Sequence, residues 1–155
     1  MPEVNILLVE DNSQDVLLVR EALKDSRIDF TIQVASDGEA AMQILYSAEF
    51  KPHIILLDLN LPKKTGIEVL KEIKRDSSLR PIPVIVLTNS RSEDDVILAY
   101  ANHCNAYVRK PLGFDGLVDT INRIGHFWFV CATLPKPGSP DFSIPPSSAD
   151  PLDEV

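Results

Sequence analysis

Two short runs of consecutive apolar residues constrain the fold of this chain most strongly. They are residues 54–57 and 84–87, and neither alternates between apolar and polar side chains. A strand with one face in water would alternate, so an unbroken apolar run indicates a strand that is covered on both faces. The two runs therefore predict the central strands of a parallel sheet that has helices packed on both sides.

Strand-like and helix-like patterns alternate along the rest of the chain, which is typical of a parallel sheet with crossover helices. The predicted strands are residues 5–10, 30–35, 53–58, 84–88 and 105–109. The predicted helices, with apolar residues at intervals of three and four, are residues 13–26, 38–47, 66–77, 92–102 and 114–129. The fold class is therefore α/β, a doubly wound sheet of five parallel strands with helices on both faces.

The end of the chain divides into a last helix and a tail. The predicted core stripe of that helix is Phe114, Leu117, Val118, Ile121, Ile124 and Trp128. Phe127 and Val130 fall on another side, and two interpretations stay open: a helix end that folds back on the core, or an apolar patch at an interface. Six of the 22 residues in 134–155 are Pro, so we predict one domain over residues 1–133 and an extended tail without an output domain. Phe142 and Ile144 are its candidate anchors on a partner.

The overall composition excludes several classes of protein. A length of 155 residues with 45% apolar content suits one domain, and a net charge of -8 argues against binding the nucleic-acid backbone. No apolar run approaches the roughly 20 residues needed to cross a bilayer, and the chain does not start like a signal peptide. We therefore expect a cytoplasmic protein without nucleic-acid or membrane partners. Cys104 and Cys131 lack a metal-ligand spacing, and we expect them to be thiols.

Polar residues follow or end four of the predicted strands, at their carboxyl ends. They are Glu10, Asp11, Asp58, Thr88 and Lys110. Residues at the carboxyl ends of parallel strands meet at one edge of the sheet, and a strand order of 2-1-3-4-5 would make the first and third strands neighbours. Carboxylates clustered there repel one another unless a cation lies between them, and oxygen ligands favour Mg²⁺ or Mn²⁺. The sequence thus predicts a divalent metal site.

Asp58 is the best candidate nucleophile at this edge. A carboxylate can attack a phosphoryl centre while a metal ion neutralises the developing charge. Lys110 would supply a fixed positive charge, and Thr88 a hydroxyl donor, to the oxygens of the transferring group. Taken singly, each residue has a plainer interpretation as a helix cap or a surface charge. Their coincidence at one edge favours the functional interpretation.

These residues resemble the motifs of the receiver domain of two-component response regulators, over about residues 4–130. The matching segments are residues 9–12 (Val-Glu-Asp-Asn), 57–62 (Leu-Asp-Leu-Asn-Leu-Pro) with Gly66, 86–88 (Val-Leu-Thr) and 107–111 (Tyr-Val-Arg-Lys-Pro). The resemblance implies a flavodoxin-like sheet with the order 2-1-3-4-5 and a signalling domain rather than an ordinary enzyme. It also implies that a histidine kinase phosphorylates Asp58.

The same resemblance implies roles for the surrounding residues. Asp11, Asp58 and the carbonyl of Asn60 would bind the metal, and Glu10 would reach it through water. Thr88 and Tyr107 would form the switch that responds to phosphorylation. The Lys110–Pro111 peptide bond would be cis. Asn89 departs from the family pattern, which more often has Ala or Gly there, and leaves the rates of phosphorylation and dephosphorylation open.

A narrower resemblance is carried by residues 127–129 (Phe-Trp-Phe) and 133–135 (Thr-Leu-Pro). They are similar to the small response regulators that pair with cyanobacterial phytochromes. This implies a phytochrome-type histidine kinase as phosphodonor and a homodimer formed through the last strands and helices. Signalling would then proceed by changed association with other proteins.

Two other functions share parts of this pattern. A flavodoxin-like cofactor binder needs a hydroxyl-rich phosphate loop after the first strand, where this chain has Glu10 and Asp11, which would repel a phosphate without metal. A phosphohydrolase with an aspartyl nucleophile commonly has a second acid two residues later, where this chain has Asn60. Both functions are therefore less well supported than a receiver.

Overall fold

The computed structural model describes residues 3–26 and 28–137, in which five strands alternate with five helices. The strands are β1 (Val4–Val9), β2 (Phe30–Ala35), β3 (Ile54–Leu57), β4 (Val84–Thr88) and β5 (Ala106–Arg109). The helices are α1 (Ser13–Lys24), α2 (Gly38–Tyr46), α3 (Gly66–Arg75), α4 (Glu93–Ala101) and α5 (Phe114–Gly125). A π-helical segment (His126–Cys131) follows α5 directly. The predicted order of elements is confirmed.

All five strands are parallel, and their order is β2-β1-β3-β4-β5. This confirms the flavodoxin-like, doubly wound sheet. The last residue of β1, Val9, lies opposite Leu57, the last residue of β3. Because β1 and β3 end level with each other, the residues that follow them start from adjacent points on the same edge.

The sheet divides the core into two layers. From β1 and β3, Leu7, Val9, Ile55 and Leu57 join the cluster that α2 and α3 cover, and Ile6, Leu8, Ile54 and Leu56 join the cluster that α1 and α5 cover. All eight side chains are at most 2% exposed. Burying one such side chain stabilises the fold by about 1.5–3 kcal/mol. The apolar runs of the sequence are therefore central strands, as predicted.

The last helix differs from its prediction in two ways. It ends at Gly125 and continues as a π-helical segment, whereas the sequence predicted one α-helix over residues 114–129. The change of hydrogen-bond register follows Gly125, which has a low helix propensity and lies so close to α1 that an added Cβ would be 3.2 Å from Leu23 Cδ2. Phe114, predicted to be in the core, is 63% exposed because it opens the first turn of α5, before the buried stripe begins at Leu117.

The rest of the predicted stripe is correct, since Leu117, Ile121 and Ile124 are buried and Val118 and Trp128 pack partly against the core. Phe127 and Val130 are 54% and 52% exposed. The interpretation in which both fold back on the core is therefore wrong.

Three further sequence expectations concern the tail, the two cysteines and membrane-spanning helices. Residues 133–136, at the start of the Pro-rich tail, have no helix or strand, and the tail from residue 138 onward, with Phe142 and Ile144, lies outside the described residues. Cys104 is buried and Cys131 is exposed, and both are free thiols. Within the described part of the chain, no helix is both long and apolar enough to span a bilayer.

Candidate phosphoacceptor site

The carboxyl edge of the sheet brings together all five residues that the sequence placed there. Glu10 and Asp11 follow β1, Asp58 follows β3, Thr88 ends β4 and Lys110 follows β5. Glu10, Asp58, Thr88 and Lys110 are buried, whereas Asp11 is exposed to solvent. The edge is therefore a small polar site that is closed by the protein on most sides and open at Asp11.

Backbone hydrogen bonds hold the ends of the strands in place. The N–H of Asp58 donates to the carbonyl of Val9 at 3.0 Å, and the N–H of Lys110 donates to the carbonyl of Thr88 at 2.8 Å. Asp58 and Lys110 are thus each the first position beyond a strand and are still paired with the neighbouring strand. The side chains are fixed by the sheet rather than by a free loop.

Three carboxylates at this edge have the spacing of a cation site. One oxygen each from Glu10, Asp11 and Asp58 lies within 4.8 Å of the others. Octahedral Mg²⁺ binds oxygen at about 2.0–2.1 Å, which puts opposite ligands about 4.2 Å apart. Burial raises the pKa of Glu10 above its usual range, and the charge of Asp58 adds to that shift. A cation would relieve both effects, so these residues fit the predicted Mg²⁺ or Mn²⁺.

Lys110 is the positive charge of the site. Its Nζ donates to Glu10 Oε2 at 2.6 Å and to Asp15 Oδ2 at 2.8 Å, and it lies 3.5 Å from Asp58 Oδ2. Burial alone would lower the pKa of Lys110, but the hydrogen bonds to Asp15 and Glu10, with the charge of Asp58, raise it to about 12. The lysine is therefore charged at neutral pH.

Asp15 is a residue of this site that the sequence reasoning missed. It lies in the first turn of α1, where an acid is ordinarily explained by the positive end of the helix dipole. Its meeting with Lys110 joins residues 95 positions apart in the sequence. The one signal for it in the sequence was its position four residues after Asp11.

The loop after Asp58 folds tightly beneath the site. The N–H of Asn60 donates to Asp58 Oδ1 at 3.3 Å. The N–H of Gly66 donates to the carbonyl of Leu59 at 3.0 Å. A Cβ on Gly66 would lie 2.3 Å from the carbonyl oxygen of Asp58, so only glycine permits this approach. The loop thus fixes the backbone on which the candidate nucleophile sits.

The two predicted switch residues lie on neighbouring strands. Thr88 is fully buried, and its Oγ1 accepts a hydrogen bond from the N–H of Ser90 at 3.3 Å. Tyr107 packs partly against the core beneath α2 and α3, and its buried hydroxyl has no hydrogen-bond partner among the described residues. The N–H of Tyr107 donates to the hydroxyl of Tyr100 on α4 at 3.2 Å. The Tyr100 side chain therefore joins α4 to the backbone of β5 at Tyr107.

The region after β4 and β5 contains one correction. The Lys110–Pro111 peptide bond is trans, as are the other peptide bonds of the described residues, so the expected cis bond is wrong. The trans form is the ordinary preference even before proline. Asn89, the departure from the family pattern, is exposed. Arg91 Nη2 donates to the carbonyl of Lys110 at 2.6 Å and so joins the loops that follow β4 and β5.

The chain matches known proteins over most of its length. Residues 6–122 match the model of the response regulator receiver domain. The chain is 48% identical to response regulator Rcp1 of Synechocystis sp. over 139 residues, which cover 86% of this chain and 95% of Rcp1. It is 45% identical to the probable methanogenesis regulatory protein FilR2 of Methanothrix harundinacea, over 85% of this chain and 88% of that protein.

Solved structures agree with these matches. The Mn²⁺-bound form of response regulator Rcp1 has a TM-score of 0.82 and 47% identity, covering 86% of this chain and 99% of that one. The phosphorylated cyanobacterial phytochrome response regulator RcpA has a TM-score of 0.84 and 43% identity, covering 87% of this chain and 100% of that one. These similarities favour a receiver over the two alternative functions, a flavodoxin-like cofactor binder and a phosphohydrolase. The chain belongs to the response regulator receiver domain family and is a response regulator of a two-component phosphorelay.

Proposed function

We propose that Asp58 accepts a phosphoryl group from the phosphohistidine of a sensor histidine kinase. A carboxylate oxygen of Asp58 attacks the phosphorus, the P–N bond breaks, and its electron pair passes to the imidazole nitrogen of the kinase. The observation that carries this proposal is the position of Asp58, buried between two other carboxylates and the Lys110 ammonium. Glu10 has the same neighbours, but both of its carboxylate oxygens already accept hydrogen bonds, one from Lys110 Nζ and the other from the N–H of Asn12.

The remaining residues of the site have separate roles in this proposal. Asp11, Asp58 and the carbonyl of Asn60 hold Mg²⁺, and Glu10 reaches it through water. When bound, the ion neutralises charge on the phosphoryl oxygens. Lys110 and the Thr88 hydroxyl hold the phosphoryl oxygens from the protein side, and these donors stabilise the charge of the transition state. The chain thus promotes its own phosphorylation and dephosphorylation without acting on other substrates.

Phosphorylation with a small donor tests this assignment. Acetyl phosphate with Mg²⁺ should add one phosphoryl group to the wild-type chain, as measured by intact mass, and peptide mapping should place it on Asp58. Asp58→Asn and a sample with excess chelator should stay unmodified, while the exposed first-turn Asp94→Asn should behave as wild type. Labelling of Asp58→Asn to the wild-type extent would show that the assignment is wrong.

The phosphoryl group is proposed to change the surface around α4. Thr88 moves toward the phosphoryl oxygens, and Tyr107 occupies the space that the threonine leaves. A difference of a few kcal/mol in contacts at Asp58 is enough to bias two packings of this surface. With residues 1–133 as the receiver and residues 134–155 as a tail, the output is an altered association with another protein. The match between the two chains covers 95% of Rcp1, which supports this domain organisation.

The proposed phosphodonor is a phytochrome-type histidine kinase. The proposed compartment in which it phosphorylates this chain is the cytoplasm. Similarity to the cyanobacterial phytochrome response regulator RcpA supports this choice. Three exposed apolar side chains lie close in sequence to Asp15 or Lys110 and would contact the kinase. They are Leu17 on α1 (59% exposed) and, after β5, Leu112 (92%) and Phe114 (63%). Phosphotransfer from a panel of autophosphorylated kinases should be fastest from phytochrome types. Equal or faster transfer from the other kinases would contradict the pairing.

We further propose a homodimer through the last strands and helices. Ile97 and Tyr100 on α4 are 65% and 50% exposed, and Phe127 and Val130 in the π-helical segment are about equally exposed. Each of these two pairs exposes apolar surface, and such surface is typical of an interface. The net charge of -8 speaks against nucleic acid as the partner.

A further inference from the structure

We infer that Asp15 is a positioning residue for phosphorylation, which holds the Lys110 ammonium in place while a cation and a phosphoryl group occupy the site. This inference rests on the proposed phosphorylation of Asp58. The evidence is the 2.8 Å hydrogen bond from Lys110 Nζ to Asp15 Oδ2, which joins α1 to the end of β5. The Asp15 side chain is 18% exposed and that of Lys110 only 3%.

The hydrogen bonds of Lys110 leave one donor for the reacting group. An ammonium has three N–H donors. Two of them are engaged by Glu10 Oε2 at 2.6 Å and Asp15 Oδ2 at 2.8 Å. The distance of 3.5 Å to Asp58 Oδ2 is longer than an ordinary N–H···O hydrogen bond. The two short bonds therefore fix the ammonium so that its third donor is available beside Asp58.

Glu10 and Asp15 are not equivalent partners of the lysine. Glu10 belongs to the carboxylate cluster that fits a cation, and its Oε1 also accepts the N–H of Asn12 at 3.1 Å. Asp15 lies outside that cluster. Among the described residues, Asp15 is the one carboxylate within 4.0 Å of Lys110 Nζ that does not belong to the proposed cation site. Its hold on Lys110 is thus independent of the occupancy of that site.

The backbone of Asp15 is itself held at the site. The N–H of Asp15 donates to Asn12 Oδ1 at 3.1 Å, and Asn12 directly follows the cluster residues Glu10 and Asp11. Behind it, Val19 and Leu23 bury α1 against the sheet. A carboxylate on so fixed a backbone can set the position of an ammonium to within a fraction of an ångström, and misplacement by about 1 Å can cost 100-fold in rate.

The test compares Asp15→Asn with Asp94→Asn, which removes an exposed acid from the first turn of α4. Both variants lose one charge from a helix N-terminus, but only the first weakens a lysine contact, since an amide oxygen is a weaker acceptor for an ammonium than a carboxylate. We expect Asp15→Asn to lower the maximal rate of phosphorylation by acetyl phosphate at saturating Mg²⁺ about tenfold, less than full misplacement because Glu10 remains. The Mg²⁺ concentration at half-saturation of Asp15→Asn, measured calorimetrically, should rise only about threefold. The rise is small because the lost charge lies several ångströms from the ion in a medium of high dielectric constant.

Two further measurements separate positioning from charge and from folding. Asp15→Glu keeps the charge and a carboxylate, so it should restore the Mg²⁺ affinity fully and the maximal rate in part. In the protein without Mg²⁺, the ¹⁵N–¹H signal of the Lys110 ammonium should be visible in wild type and Asp94→Asn and lost to solvent exchange in Asp15→Asn. A maximal rate and an ammonium signal in Asp15→Asn equal to those of Asp94→Asn would overturn the inference. If wild type is not modified at Asp58, the proposed function fails, and the ammonium signal still decides whether Asp15 positions Lys110.

Discussion

The imidazole Nδ1 of His53 accepts a hydrogen bond of 3.0 Å from the backbone N–H of Asn5. The backbone N–H of His53 donates in return to the carbonyl of Asn5 at 2.8 Å. The pair joins the start of β1 to the residue before β3, at the edge of the sheet opposite Asp58. An Nδ1 that accepts a hydrogen bond carries no proton, so the contact requires the neutral imidazole. Burial lowers the pKa of His53 and acts in the same direction.

Stability should therefore depend on pH through His53. The unfolded chain takes up a proton near the ordinary histidine pKa of about 6.5, whereas the folded chain resists it until a lower pH. The contribution of His53 is thus fully present above about pH 6.5 and is lost as the pH falls below it. We expect the difference in urea midpoint between wild type and the non-titrating His53→Gln to shrink from pH 7.5 to pH 5.5. An unchanged difference would show that His53 does not titrate on unfolding in this range.

Crowding of the loop beneath the nucleophile should affect both stability and phosphorylation. Gly66→Ala puts a Cβ within 2.3 Å of the Asp58 carbonyl oxygen, and we expect a loss of about 2 kcal/mol in the free energy of unfolding. The shifted backbone should also lower the rate of Asp58 phosphorylation. Thr65→Ala is the matched control, because it removes the cap of the same helix, at about 1 kcal/mol, without crowding Asp58. Equal phosphorylation of both variants would contradict this prediction.

Substitutions of the two tyrosines that connect β5 to α4 should change the free energy of unfolding in opposite directions. Tyr107→Phe removes a buried hydroxyl that has no partner among the described residues, so it should raise the free energy of unfolding by about 1 kcal/mol. Tyr100→Phe removes the acceptor of the Tyr107 N–H and should lower it by roughly 0.5 kcal/mol at this partly exposed position. Urea unfolding of the unphosphorylated variants measures both. Destabilisation by Tyr107→Phe would mean that its hydroxyl is satisfied in solution.

Self-association should depend on the π-helical segment. Phe127→Ala removes an exposed ring that packs edge to face with Trp128 at a centroid distance of 5.3 Å. Sedimentation velocity should show a smaller dimer fraction for Phe127→Ala and for a chain truncated after Leu134. Tyr46→Ala, at a similarly exposed aromatic on α2, should sediment as wild type. Unchanged sedimentation of both the Phe127 variant and the truncated chain would exclude this interface.

The sequence predicted the sheet and most of the site because both depend on where strands end. An unbroken apolar run identifies a central strand, and the residue after it must lie at the carboxyl edge, as Asp58 does. Asp15 was missed because its contact with Lys110 depends on how α1 packs on the sheet, which no local pattern encodes. Phe114 was assigned to the core because a helical wheel gives the direction of a side chain but not its distance along the axis. The same wheel assumes 3.6 residues per turn, which fails in the π-helical segment beyond Gly125.

The alternation of β1 and β3 side chains between two layers has a consequence for how such a protein can diversify. Leu7 and Ile6 are neighbours in the chain, yet they belong to clusters on opposite sides of the sheet. A substitution beneath α2 and α3 therefore changes the packing beneath α1 and α5 little, since side chains on opposite faces of the sheet share few partners. The two sides can therefore accumulate changes separately, so substitutions on the side of α1, which we propose contacts the kinase, need not alter the side of α4, which we propose contacts the downstream protein.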